Sequence, residues 1–370
     1  MPTGQTYRIL VINPGSTSTK VALFEDETPL LQETLRYDAA DLAPFAHIAD
    51  QYAFRRDSVL RWLERNGVAP ETLSAVVGRG GLFRPLESGT YRVNEVMLEE
   101  MRRPGPREHA SNLGVLIAQE IAGPLGIPAF TVDPVSVDEF DDLARFSGLA
   151  EIRRQSLSHA LNIKAVARRA AADLGRRYQD LNLVIAHLGG GISVTAHRRG
   201  RMVDVNNALD AGPFSPERCG TLPLTDLIEL CYSGRFTKEE LKKYLVGKGG
   251  LVSHLGTNST IEVEKRIAAG DAHALLVSQA MAYQIAKEIG AMATVLKGEV
   301  DAIVLTGGVA HWKDLVAWIG ERVAFIAPVL VYPGEDEMLA LAQGALRVLR
   351  GEEEARTYVP RQERSGVAYS

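Results

Sequence analysis

The sequence predicts an α/β chain made of two copies of one sheet-based domain, and three observations carry that expectation. The first is a strand–turn–strand unit in which residues 8–12 and 21–24 flank the turn Asn13-Pro14-Gly15-Ser16-Thr17-Ser18-Thr19-Lys20. Apolar and β-branched runs around a Pro-Gly bend read as a tight hairpin. The second is a like unit over residues 183–196, turning at Gly189-Gly190-Gly191. Each hairpin is followed by a polar reversal and a third strand, at 30–35 and 201–205. A meander repeated at that distance suggests duplication. The third is length, since 370 residues exceed one typical core.

The first turn holds four consecutive hydroxyls, a lysine and an asparagine. Backbone amides converging in such a turn suit a phosphate, and Lys20 adds charge; an ordinary solvated hairpin is the other reading. The turn is not a Walker A loop, because no glycine precedes the lysine and a strand follows. Two such turns facing one cleft could grip both ends of a polyphosphate. Composition bounds the alternatives. The chain is 46% hydrophobic and 24% charged, as a globular protein is. With 41 Lys and Arg against 46 Asp and Glu, its net charge of −5 argues against nucleic acid. No run approaches the ~18 apolar residues that cross a bilayer, and no signal peptide is read, so the cytoplasm is expected. Cys219 and Cys231 have neither metal nor redox spacing.

Taken in order, residues 55–65 read as an amphipathic helix ended by Asn66-Gly67, and 74–77 as a buried strand. Gly78-Arg79-Gly80-Gly81 stands at that strand's C-terminal end, where open α/β sheets bind ligands, so Arg79 reads as an anion contact or a strand cap. Pro104-Gly105-Pro106 reads as a loop and 111–121 as a helix ended by Gly123-Pro124. His109 precedes that helix, where an anion is welcome. Asp133 ends a strand at 128–132, as a site carboxylate or a turn opener. Residues 138–148 hold the crossover to a second domain, and His159 opens a helix running to 174. Arg218 lies in a Pro/Gly-dense loop that can aim a guanidinium. Helices follow at 225–231, 237–245 and 273–296, with loops at 247–250 and 256–259. Gly307 and Gly308 end a buried strand beside a helix start. A last strand at 329–332 leads through Pro333-Gly334-Glu335-Asp336-Glu337 into a helix at 338–349, and residues 351–370 read as a loosely held tail.

From about residue 8 to 350 the chain resembles the acetate and butyrate kinase family, closest to its butyrate kinase branch. The likeness rests on residues 12–20, His187-Leu188-Gly189-Gly190-Gly191, Glu217-Arg218-Cys219-Gly220-Thr221 and Pro333-Gly334-Glu335-Asp336-Glu337, in that order. It implies two ribonuclease-H-like domains of the actin and sugar-kinase superfamily with a cleft between them. The first would span 1–148 and 338–370, the second, nucleotide-binding, 149–337. It implies catalytic Arg79, Asp133, His159 and Arg218. Ser16, Ser18, Lys20, His187, Gly189, Gly190, Gly191, Gly307 and Gly308 would hold ATP or ADP, with Asn13 and Glu337 at Mg²⁺. The implied reaction converts butyrate and ATP to an acyl phosphate and ADP, in a cytoplasmic homodimer with neither nucleic-acid nor membrane partner. Isobutyrate is the alternative acid, and a chaperone or scaffold ATPase the alternative class.

Three departures from acetate kinases stand out. Ile163 replaces a second polar residue carried one turn later, which weighs against any two-histidine relay. Ala310-His311-Trp312 replaces a Gly-Glu-Asn run. Gly81 and Ser158 stand where acetate kinases carry valine and phenylalanine, so a roomier tail pocket is expected.

Overall fold

The computed structural model describes residues 5–103 and 109–359. The loop read at Pro104-Gly105-Pro106 lies outside them, as does the end of the tail. Two compact units divide the chain: one runs to Asp138 and resumes at Asp336, and the other is Glu139–Glu335.

The first unit has strands β1 (Arg8–Pro14), β2 (Ser18–Glu25), β3 (Thr28–Arg36), β4 (Ala75–Gly78), β5 (Thr90–Arg92) and β6 (Ala129–Val132). The second has β7 (Asn182–Leu188), β8 (Ile192–Arg198), β9 (Arg201–Val205), β10 (Ala302–Gly307) and β11 (Val329–Pro333); β12 (Arg356–Thr357) returns to the first. Their sheets run β12-β5-β6-β4-β1-β2-β3 and β11-β10-β7-β8-β9. In both, an antiparallel meander is extended by two parallel strands: β4 and β6 beside β1, β10 and β11 beside β7. The same order and directions recur, so the duplication read from two hairpins extends to five strands of each sheet.

The central strands of both sheets are buried on both faces, which is why they read as continuous apolar runs. Along β7, Val184, Ala186 and Leu188 join one cluster with the helix Ala272–Val295, while Leu183 and Ile185 join another with the helix Ala160–Asp173. In the first unit the helix Leu113–Leu125 covers β4 and β1, and the helix Glu337–Leu349 packs against β1 and β6. Small residues let these layers touch. A Cβ on Gly78 would lie 2.1 Å from the Gly114 carbonyl oxygen, and one on Gly344 would lie 2.4 Å from Val132.

Several expectations are corrected. Gly123-Pro124 does not end its helix; Pro124 sits in the last turn, and Gly126, at φ +67°, ends it. The loop expected at 247–250 shrinks to its middle, because Gly247 ends the helix Lys238–Gly247 and Gly250 opens the helix Gly250–Leu255. The stretch after Gly351 is not loose throughout, because β12 pairs with β5 and Tyr358 is 2% exposed, donating to Glu100 Oε2 at 2.7 Å. One buried aromatic anchors a segment whose composition shows little else apolar. The short β5 and the helices Glu95–Arg102 and Thr260–Ala268 add to the elements expected from sequence.

Candidate active site

In the first unit the glycines after β4 bring Arg79 against β1, where its amide donates to the Ile12 carbonyl at 2.8 Å. Gly80 has no room for a side chain, since a Cβ there would meet Pro134 at 2.5 Å. Arg79 is 7% exposed, and its Nη2 lies 3.2 Å from Glu337 Oε1. Asn13 Nδ2 donates to the other oxygen, Glu337 Oε2, at 2.8 Å. Glu337 thus bridges a strand-borne amide and a buried guanidinium, while Arg79 Nη1 has no partner among the described residues.

His109 accepts the Ser111 amide on Nδ1 at 3.2 Å, and burial, with a contribution from Arg79, pushes its pKa down. The neutral ring therefore carries its proton on Nε2. Asp133 is fully buried at φ +38°, an uncommon backbone for aspartate, with Oδ1 accepting the Gly89 amide at 2.7 Å.

The first glycine turn is tighter than its sequence suggested. β1 and β2 reach Pro14 and Ser18, so Asn13 and Lys20 are strand partners and only Gly15, Ser16 and Thr17 turn. Ser16, Thr17 and Lys20 are exposed, and Thr19 is buried. Beneath this turn lies Arg55, the first residue of the helix read at 55–65, and it is fully buried. No apolar periodicity could have indicated it.

In the second unit Arg218 lies across the other glycine turn. A Cβ on Gly191 would sit 2.1 Å from Arg218 Nη1, and one on Gly190 would sit 2.9 Å from Glu217 Oε1. Ser215 fastens this loop: its hydroxyl donates to the Gly190 carbonyl and accepts the Arg218 amide at 3.1 Å. Arg218 Nη1 donates to the Ala208 carbonyl at 3.3 Å, and Nε is buried without a partner among the described residues. Burial lowers the Arg218 pKa, yet a guanidinium stays charged.

His159 precedes the helix Ala160–Asp173, its Nδ1 3.1 Å from Ser193 Oγ. Its ring stacks on His187 with centroids 3.9 Å apart. Two histidines do meet, then, but the second comes from β7; Ile163 is simply core. His187 Nδ1 lies 2.8 Å from Asn162 Oδ1, and burial, followed by His159, holds its pKa well below the ordinary value. With Asn162 accepting, the neutral ring carries its proton on Nδ1. Sequence reasoning assigned no role to Asn162 or Ser193, because their partners are distant in sequence. Gly307, at φ +92°, passes the Leu188 carbonyl, which a Cβ would meet at 2.3 Å; Gly308 has open space beside it.

Gly81 and Ser158 are both closely packed. A Cβ on Gly81 would lie 2.2 Å from Asn112 Oδ1, so that space is filled. Ser158 is buried and its hydroxyl donates to Met202 Sδ at 3.6 Å. Among the described residues no group of three or more His, Cys, Asp or Glu is placed to hold a metal. Any metal would rely on fewer ligands. Glu337 offers a hard carboxylate beside Asn13, which faces it with Nδ2 and whose Oδ1 would be the second oxygen donor; so small a set fits Mg²⁺, which keeps waters and takes few protein ligands.

Comparison with solved structures fixes the fold class. The chain is similar to acetate kinase from Porphyromonas gingivalis, with TM-score 0.76, 21% identity and coverage of 93% of this chain and 100% of that one. Propionate kinase from Francisella tularensis subsp. tularensis SCHU S4 gives 0.72, 21%, 91% and 98%. Acetate kinase from Entamoeba histolytica gives 0.73, 16%, 93% and 100%. The protein has the two-domain, sheet-based α/β fold seen in these structures. Within that class, residues 148–319 match the sequence model of the acetokinase family.

Proposed function

We propose that the protein is a carboxylate kinase of the acetate and propionate kinase kind, acting on butyrate with ATP to give butanoyl phosphate and ADP, reversibly. The observation that carries this reading is a pair of arginines, Arg79 buried and Arg218 half-buried, each with one buried N–H lacking a partner among the described residues. A buried, unpaired guanidinium donor is costly unless something anionic meets it, and arginine grips carboxylate and phosphate with two prongs. Butyrate rather than acetate is supported by the sequence likeness to the butyrate kinase branch. Isobutyrate is the next acid in line.

A carboxylate is ionised at neutral pH and needs no general base. Catalysis then rests on positioning and charge. Arg79 binds the acid, and Arg218 with His159 stabilises the transferring phosphoryl. His187, neutral and tied to Asn162, keeps the His159 ring oriented through their stack. Asp133 fixes the Gly89 amide and organises its surroundings without accepting a proton from substrate. Ser16, Ser18, Lys20, Gly189, Gly190, Gly191, Gly307 and Gly308 line the nucleotide. Asn13 and Glu337 would hold Mg²⁺, which supplies charge neutralisation on the phosphates when bound. We further propose a cytoplasmic homodimer; among the described residues no helix is long and apolar enough to cross a membrane.

The test is ADP release with hydroxylamine trapping over a panel of acids. Butyrate is expected to exceed acetate at least about tenfold in kcat/KM, as two methylenes in an apolar pocket allow. ADP release independent of any acid would instead favour a chaperone or scaffold ATPase.

A further inference from the structure

Arg55 is fully buried in the helix Tyr52–Arg65, and among the described residues none of its hydrogen-bond partners is a carboxylate. Nη1 donates to the carbonyls of Gly15 at 2.7 Å and Ser18 at 3.0 Å and to Thr19 Oγ1 at 3.3 Å. Nη2 donates to the Ser16 carbonyl at 2.9 Å. Gln51 Oε1 accepts from Nε at 3.1 Å and from Nη2 at 2.8 Å, and the guanidinium lies 4.9 Å from the Tyr37 ring centroid.

This arrangement dictates where the turn's amides point. No peptide bond in the described chain is cis, and in a trans peptide the N–H lies opposite the preceding carbonyl. With the Gly15 and Ser16 carbonyls drawn inward to Arg55, the amides of Ser16 and Thr17 face outward. Neither amide has a partner among the described residues. A buried charge is normally paired with an opposite one, because desolvation is expensive. Here the guanidinium is met only by neutral dipoles, so its charge is not cancelled locally. The low dielectric around it strengthens its pull on an anion above the turn.

We propose that Arg55 is the positioning residue of a phosphate site on the Gly15–Ser18 turn: it holds the carbonyls inward, turns the amides of Ser16 and Thr17 toward the ligand, and charges the site from below. This deepens the reading of the turn given under the proposed function and rests on it.

The probe is inorganic pyrophosphate, titrated calorimetrically against the full chain, with adenosine as a second, uncharged ligand. Arg55→Lys keeps the charge and loses the fork; Arg55→Met loses both. Pyrophosphate affinity should fall at least about tenfold in Arg55→Lys and further in Arg55→Met, with adenosine affinity unchanged. Gln51→Met leaves Arg55 in place but frees one edge of its guanidinium, and should weaken pyrophosphate severalfold; it decides the matter if the Arg55 variants do not fold. Unchanged pyrophosphate affinity in a folded Arg55→Lys protein overturns the proposal. So does parallel loss of adenosine and pyrophosphate, which marks a general structural defect, or a parent protein that binds no pyrophosphate. Arg55-dependent binding without acyl phosphate formation sinks the kinase reading and leaves this one standing. Acyl phosphate formation with Arg55-independent binding does the reverse.

Discussion

The guanidinium of Arg218 occupies the space a side chain on Gly191 would need, with Nη1 2.1 Å from the Cβ position. Glycine is required there for an arginine's sake rather than for backbone freedom.

The first prediction follows from that contact. An arginine acting on a transferring phosphoryl is typically worth 10³–10⁵ in rate, so Arg218→Ala is expected to lose at least about a thousandfold in kcat while remaining folded. Gly191→Ala, which forces the guanidinium aside, should lose roughly a hundredfold, as misplacement by about 1 Å does. Circular dichroism and steady-state kinetics check both. A folded Arg218→Ala enzyme keeping a tenth of its activity would end this assignment.

Three neighbouring acids separate in the second prediction. Glu337 bridges Asn13 and Arg79, Asp336 caps its helix by accepting the Leu339 amide at 3.0 Å, and Glu335 lies 3.7 Å from His187 Nε2. Glu337→Gln should raise the Mg²⁺ concentration for half-maximal activity at least about tenfold, as loss of one of few metal ligands would. Asp336→Ala should cost about 1 kcal/mol in stability, the worth of an N-cap, and leave Mg²⁺ dependence alone. Glu335→Gln should act through His187, not through the metal. The same Mg²⁺ shift in all three variants would falsify the metal role of Glu337.

These residues show what a sequence discloses and what it hides. The hairpins, the buried strands and the glycine turns were legible because apolar runs and Gly/Pro punctuation are local signals. Which acid of Glu335-Asp336-Glu337 does what was not, because each answers to a partner far away in the chain. Asn162 and Ser193 escaped for the same reason. Arg55 looked like one charged residue among several on an amphipathic helix, and only the fold puts it under the turn. Gly81 suggests room for a longer acid, but a missing side chain says nothing about what fills the gap.

The third prediction concerns pH. His187 and His197 are both buried, and burial holds both pKa values well below the ordinary one, helped by His159 in the first case and Lys164 in the second. His197 is also tied at both nitrogens, to Tyr178 and Thr195. The unfolded chain protonates these rings below about pH 6.5 while the folded chain resists, so each favours unfolding as pH falls. Stability should be full above about pH 7 and decline below 6.5 by up to about 1.4 kcal/mol per pH unit for each ring. Urea unfolding from pH 7.5 to 5 measures it, and His197→Gln should remove about one proton's share of the slope. A flat profile over that range contradicts the buried, neutral state of both.

The last prediction replaces the simplest idea about acid length. If Gly81 and Ser158 were small in order to open the tail pocket, filling them would shift preference toward acetate. The packing predicts otherwise. A Cβ on Gly81 would lie 2.7 Å from Asn112 Cα as well as against its side chain, and Asn112 Oδ1 is held by the Leu82 amide at 3.0 Å. Backbone and a tethered amide cannot yield cheaply, so Gly81→Ala should cost about 1–3 kcal/mol and Gly81→Val more, with activity falling on every acid alike. Ser158 faces Met202, which is itself fully buried, so Ser158→Phe overpacks the interior in the same way. Ser158→Ala removes only a weak hydroxyl–sulfur contact and should leave the ranking of acids as it was. The measurements are unfolding temperature and kcat/KM over the acid panel for Gly81→Ala and Ser158→Ala. Should Gly81→Ala keep the parent's unfolding temperature and turn to acetate, the space beside Gly81 belongs to the substrate after all, and Asn112 must move to admit it.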